Sequence, residues 1–165
     1  MTFTMDEFVD YSANSLDVFK DMQAKRVVIT GIGMVTPLGN DVASTWHNLL
    51  QGKSGAGRIT HFDASKFKTQ FACEVKDLDM SALFDQKEMR RYDRCIHYAV
   101  KSTDEAIRDA QINMAEEDAL RCGVIYGSGM GGVNALDTNI GEFFAGDGTP
   151  RYSPFFVPMI ITNMS

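Results

Sequence analysis

The sequence predicts an α/β fold with a sheet that is at least partly parallel. Two short apolar runs, Val27-Val28-Ile29-Thr30 and Cys122 to Tyr126, each end in a glycine, Gly31 and Gly127. Beyond each turn comes a stretch whose apolar residues recur at three and four, the helical period. Strand, glycine exit and helix in alternation are the pattern of βα units.

The elements follow in order. Residues 1–21 carry Asp6, Glu7, Asp10, Asp17 and Asp21 against Lys20 alone, and read as an acidic extension ahead of Met22. A short helix around Leu16 and Phe19 is the alternative. Val27 to Gly31 reads as a buried strand that opens the domain proper, residues 22–165. Gly31 to Asp41 is a glycine-rich turn, and Asp41 is placed to cap a helix presenting Val42, Trp46, Leu49 and Leu50 on one face. Gln51 to Gly57 reads as a loop, and Phe71 to Val75 as a short strand.

The strongest helical pattern runs from Lys87 to about Ala110, with Tyr92, Ile96, Val100, Thr103 and Ile107 on one side. Within it Lys87, Arg90, Arg91 and Arg94 fall at i, i+3, i+4 and i+7, so a continuous helix would align four cations on one face. Such a stripe is either a solvated face, diluted by Glu88 and Asp93, or a surface that steers an acidic partner. Cys122 to Tyr126 reads as a second buried strand, Val133 to Phe144 as a helix, and Val157 to Met164 as another.

Composition narrows the function. The chain has 165 residues, 44% hydrophobic and 23% charged, the proportions of a globular domain. No run approaches the ~18 apolar residues of a membrane span. The acidic start lacks the basic, then apolar, character of a secretory signal, so the expected location is the cytoplasm. A net charge of −6 argues against a nucleic-acid partner. Cys73, Cys95 and Cys122 are widely spaced and odd in number, which predicts reduced thiols. Neither they nor His47, His61 and His97 show metal-ligand spacing, and no metal or cofactor is expected.

Gly127, Gly129 and Gly132 satisfy G-x-G-x-x-G between an expected strand and an expected helix, the setting of a dinucleotide-binding turn. The motif lies mid-chain, however. Where a second strand should end in a ribose-binding acid, the chain reads Gly148-Thr-Pro-Arg-Tyr-Ser-Pro154, and two prolines oppose a central strand. A tight strand-to-helix turn and a loop lining some other ligand stay open beside the dinucleotide reading.

Several segments in order resemble the β-ketoacyl-acyl carrier protein synthases. They are Arg26-Val-Val-Ile-Thr-Gly-Ile-Gly-Met-Val-Thr-Pro-Leu-Gly39, Ser44-Thr-Trp46, Gly52-Lys-Ser-Gly55 and His61-Phe-Asp63. Gly127-Ser-Gly-Met-Gly-Gly132, Ser153-Pro-Phe-Phe-Val-Pro158 and Asn163-Met164 complete the series. The resemblance implies a thiolase-like αβαβα fold, of which this chain supplies an incomplete N-terminal half. It implies decarboxylative Claisen condensation of an acyl thioester with malonyl-acyl carrier protein, by a homodimeric parent enzyme. A cysteine nucleophile and two histidines serve that chemistry. The resemblance places all three beyond the position matched by Met164, so no catalytic residue is assigned and the chain alone is expected to be inactive.

Binding residues do carry over. Met130 matches the position that lines and gates the acyl pocket, a role that suits a flexible apolar side chain. Phe156 matches a phenylalanine that reaches the neighbouring subunit's pocket. Lys87, Arg90 and Arg91 match the basic positions that dock the acidic acyl carrier protein. A non-catalytic carrier-binding protein with the same surfaces is the alternative from another functional class.

Overall fold

The computed structural model describes residues 26–161. The acidic extension and the last turn expected before Met164 lie outside the described residues. In chain order the elements are α1 (Val42–Leu50), β1 (Ala56–Arg58), β2 (Phe71–Cys73), α2 (Gln86–Met89) and α3 (Arg94–Asp109). A 3-10 turn (Ala119–Arg121), α4 (Val133–Ala145) and α5 (Phe156–Ile160) follow.

Helix α1 begins where its cap predicts. Asp41 Oδ1 accepts the Ser44 N–H at 2.6 Å, and that bond holds the Asp41 carboxyl below its ordinary range. The turn before it is closed by reciprocal Thr36 and Gly39 backbone bonds of 2.8 and 3.2 Å. Asn48 donates from its side-chain amide to the Leu38 carbonyl at 2.6 Å, which pins the turn to the helix. Gly52, at φ 66°, adopts the left-handed conformation just past the helix end.

Two expectations about strands require correction. The loop read over Gln51 to Gly57 contains the start of β1, which pairs antiparallel with β2 through Ala56–Cys73, Gly57–Ala72 and Arg58–Phe71. That pair is the sheet among the described residues. The two runs read as buried strands, Val27 to Gly31 and Cys122 to Tyr126, form no paired strand there, and their apolar side chains are exposed. Val27 is 90% and Val124 81% accessible. A strand is buried by its neighbours, and neither run has a paired strand beside it among the described residues. Gly31 lies against Ala106 and Ala110 of α3, while Tyr126 and Val124 line an open cleft with Ala99, Val100, Thr103 and Ile107.

Helix α3 is therefore the centre of the described core. Ile96 and Ala99 are buried on it, together with Met80 and Ala64 from the preceding loops.

The long helix expected from Lys87 is also two helices. Asp85 and Glu88 form a reciprocal capping box around α2, with Asp85 Oδ1 taking the Lys87 and Glu88 N–H groups at 2.7 Å. The chain then leaves the helical path at Arg90 to Asp93 and restarts at Arg94. Periodicity across the break survives, which is why the sequence reads as one element.

Candidate functional site

The break at Arg90–Asp93 reshapes the basic stripe. Lys87, Arg90 and Arg91 face a shared groove of about 480 Å³ completed by Gln86, Ser153 and Phe155. The Arg91 guanidinium carbon stands 4.8 Å above the centre of the Phe155 ring, a cation–π contact that fixes one wall. Arg94 goes elsewhere: its guanidinium meets the His61 ring at 2.7 Å. Three of the four cations converge, and the four-residue helical face expected from spacing does not form.

Met130 lies in the turn from Gly127 to Gly132 and is 76% exposed. Gly131 takes φ 67° and donates its N–H to Ser128 Oγ at 3.1 Å. Gly132 starts α4 and has no side chain to cap it. A Cβ there would collide with the Met159 carbonyl, so glycine permits the close approach of α5. The Gly132 N–H reaches the Ile160 carbonyl at 3.4 Å across the same contact. Phe156, half-buried at the start of α5, stacks on Tyr152 at 5.1 Å between ring centres, and Tyr152 stacks on Phe143 at 6.2 Å. Met130 and Phe156 thus belong to two segments joined at Gly132 and α5.

The N-terminus of α4 is already occupied by a carboxylate. Asp93 Oδ2 accepts the Ala135 N–H at 2.7 Å, and Oδ1 takes the Asn134 side-chain amide at 3.3 Å. A pyrophosphate bound by the glycine motif would need that same helix end. The dinucleotide reading loses its anion site to Asp93.

His97, which shows no ligand spacing in the sequence, is a packed residue. It lies one turn into α3 and is 7% exposed, its ring 5.5 Å from that of Phe84, and its Nε2 has no hydrogen-bond partner among the described residues. Burial pushes its pKa below the ordinary 6.5, with Asp93 opposing and Arg94 reinforcing the shift. The neutral form is the folded one, so the unfolded chain binds the extra proton below that ordinary value. This contribution to stability is full above about pH 6.5 and declines as the pH falls. His97→Phe should raise the melting temperature at neutral pH, by removing an orphaned polar atom worth about 1 kcal/mol. It should also shrink the loss in melting temperature between about pH 7.5 and about pH 5.5. An unchanged pH dependence would exclude His97 as its source. Burial, and then the Asp93 charge, push the neighbouring Cys95 thiol upward, away from nucleophilic character.

A sequence model of the family described as β-ketoacyl synthase, N-terminal domain, matches residues 24–165. The chain belongs to the β-ketoacyl synthase family. Among its relatives are proteins named 3-oxoacyl-[acyl-carrier-protein] synthase 2. The one from Synechocystis sp. is 41% identical over 145 residues, covering 88% of this chain and 35% of its own length. The one from Coxiella burnetii is 44% identical over 144 residues, covering 87% and 34%. The chain spans about a third of the length of these curated relatives.

Solved structures agree on the fold. A β-ketoacyl synthase from Burkholderia phymatum superposes with a TM-score of 0.66 at 29% identity, over 86% of this chain and 35% of that one. A ketosynthase solved with the acyl-carrier protein of a type II polyketide synthase gives 0.67 at 20% identity, over 86% and 36%, and supports the fold alone. The chain is therefore part of the thiolase-like α/β fold of ketosynthases, although the two expected strands are unpaired among the described residues. No helix among the described residues is long and apolar enough to cross a membrane.

Proposed function

We propose that the chain supplies the carrier-docking face and one wall of the acyl pocket in a 3-oxoacyl-[acyl-carrier-protein] synthase of fatty-acid biosynthesis. The observation that carries this reading is the convergence of Lys87, Arg90 and Arg91 on one groove in a β-ketoacyl synthase domain. An acidic acyl carrier protein is the partner such a groove attracts, and charge complementarity sets its register. Met130, exposed in the glycine turn, is the pocket-side residue, and Phe156 its counterpart at the subunit boundary of a homodimeric parent. The condensation itself joins an acyl thioester to the carbanion left when malonyl-carrier protein loses carbon dioxide. The compartment is the cytoplasm, consistent with three free thiols, Cys73, Cys95 and Cys122.

The test is direct binding of fluorescently labelled acyl carrier protein to the chain, followed by anisotropy. Reversing Lys87, Arg90 and Arg91 together to glutamate should weaken binding at least about tenfold, or ~1.4 kcal/mol. Added salt should weaken the parent complex more than the reversed one. Equal affinity before and after reversal would overturn the docking role of this groove.

A further inference from the structure

Asp93 sits between the basic groove and the glycine turn, and its carboxylate serves two helices at once. Oδ1 accepts the N–H of Arg94, the first residue of α3, at 2.5 Å. Oδ2 accepts the N–H of Ala135, in the first turn of α4, at 2.7 Å. Two helix N-termini both favour negative charge, and Gly132 leaves α4 without a cap of its own. The carboxylate is buried, with Asp93 only 7% exposed, so water does not readily replace these bonds.

What precedes each helix gives the arrangement its meaning. Lys87, Arg90 and Arg91 lead into α3, and the turn bearing Met130 leads into α4. A second contact runs in parallel. Arg91 rests on Phe155, the Phe155 carbonyl accepts the Met159 N–H at 2.9 Å, and the Met159 carbonyl lies against Gly132. Docking residues and glycine turn are thus tied at two points, one of them a single shared carboxylate.

We propose that Asp93 is a positioning residue that sets the Met130 turn relative to the basic groove, so that a carrier protein in the groove is felt at Met130. This rests on the docking reading given above. Asparagine keeps the size of the side chain but offers one acceptor oxygen and turns an N–H₂ toward the other backbone donor. Asp93→Asn can therefore hold one helix and not both.

The experiment uses the 165-residue chain with ¹³C-labelled methionine methyls, the Met130 signal being assigned with Met130→Leu. Unlabelled acyl carrier protein is titrated in. In the parent, the Met130 methyl should shift in step with carrier binding. In Asp93→Asn, binding should persist while the Met130 shift is lost, an uncoupling that general destabilisation does not produce. A Met130 signal that stays still while the carrier binds the parent overturns the inference, whether or not the variant folds. An Asp93→Asn chain whose Met130 shift equals the parent's overturns it as well. Absence of carrier binding to the parent sinks the docking reading itself, and the inference with it.

Discussion

Replacing Gly33 with valine should cost the fold about 3 kcal/mol, the upper end of what overpacking a tight contact costs. The extended run at residues 31–34 lies along α3 with a two-residue alternation. Gly31 and Gly33 face the helix, and Ile32 and Met34 face away, 45% and 38% exposed. A Cβ on Gly33 would meet the Ser102 carbonyl, falling 2.8 Å from its carbon and 2.9 Å from the Ala106 nitrogen. Those are backbone atoms of a hydrogen-bonded helix and cannot rotate aside. Gly31 repeats the contact one turn later, 2.6 Å from the Ala110 nitrogen. Gly123 is the control: none of the described residues lies within 4 Å of its Cβ position, and Gly123→Ala should change stability by less than about 0.5 kcal/mol. Urea unfolding followed by far-ultraviolet circular dichroism checks both. Equal midpoints for Gly33→Val and the parent would mean that the run does not lie on α3.

These glycines also show what was legible in the sequence. Local signals were read correctly: Asp41 caps α1, and α4 starts at Val133, because capping and periodicity act within a few residues. The family was legible too, since an ordered series of motifs does not depend on which contacts form. Pairing was not legible. Val27 to Gly31 has the composition of a buried strand, yet burial is conferred by neighbours that the segment's own residues do not encode. The break between α2 and α3 was hidden for a similar reason. Asp93 reads as one more charge diluting a basic face until α4 is brought to it from 42 positions away. Its place just before an apolar-periodic run was the available signal, an N-cap signature inside what looked like a continuous helix. Of the four cations aligned by spacing, only Arg94 departs, because the chain restarts its helix there. Lys87, Arg90 and Arg91 lie on α2 and the turn that ends it, and Ser153 and Phe155 line the groove with them.

Truncating Glu105 should produce the second large effect, a loss of about 2 kcal/mol from two charge-assisted hydrogen bonds removed together. Glu105 Oε2 accepts the Met34 N–H at 2.9 Å, and Oε1 accepts the N–H of Val42, the first residue of α1, also at 2.9 Å. Asp109, one turn on, takes the Ile32 N–H at 2.9 Å. The match is geometric: two residues of extended chain advance ~6.6 Å, and four of helix ~6 Å. Alternate N–H groups of the run therefore meet successive acids on α3, which satisfy donors that a neighbouring strand would otherwise take. Glu105 also anchors α1, so its loss should act on two elements, whereas Asp109→Ala acts on one. The expected order of destabilisation is Glu105→Ala, then Glu105→Gln, which keeps a single acceptor oxygen, then Asp109→Ala. Trp46 is the sole tryptophan and lies on α1, so its fluorescence reports that helix. In Glu105→Ala the Trp46 transition in urea should move to lower denaturant, and in Asp109→Ala it should move less. Coincident Trp46 transitions in the two variants would show that Glu105 does not bridge the run to α1.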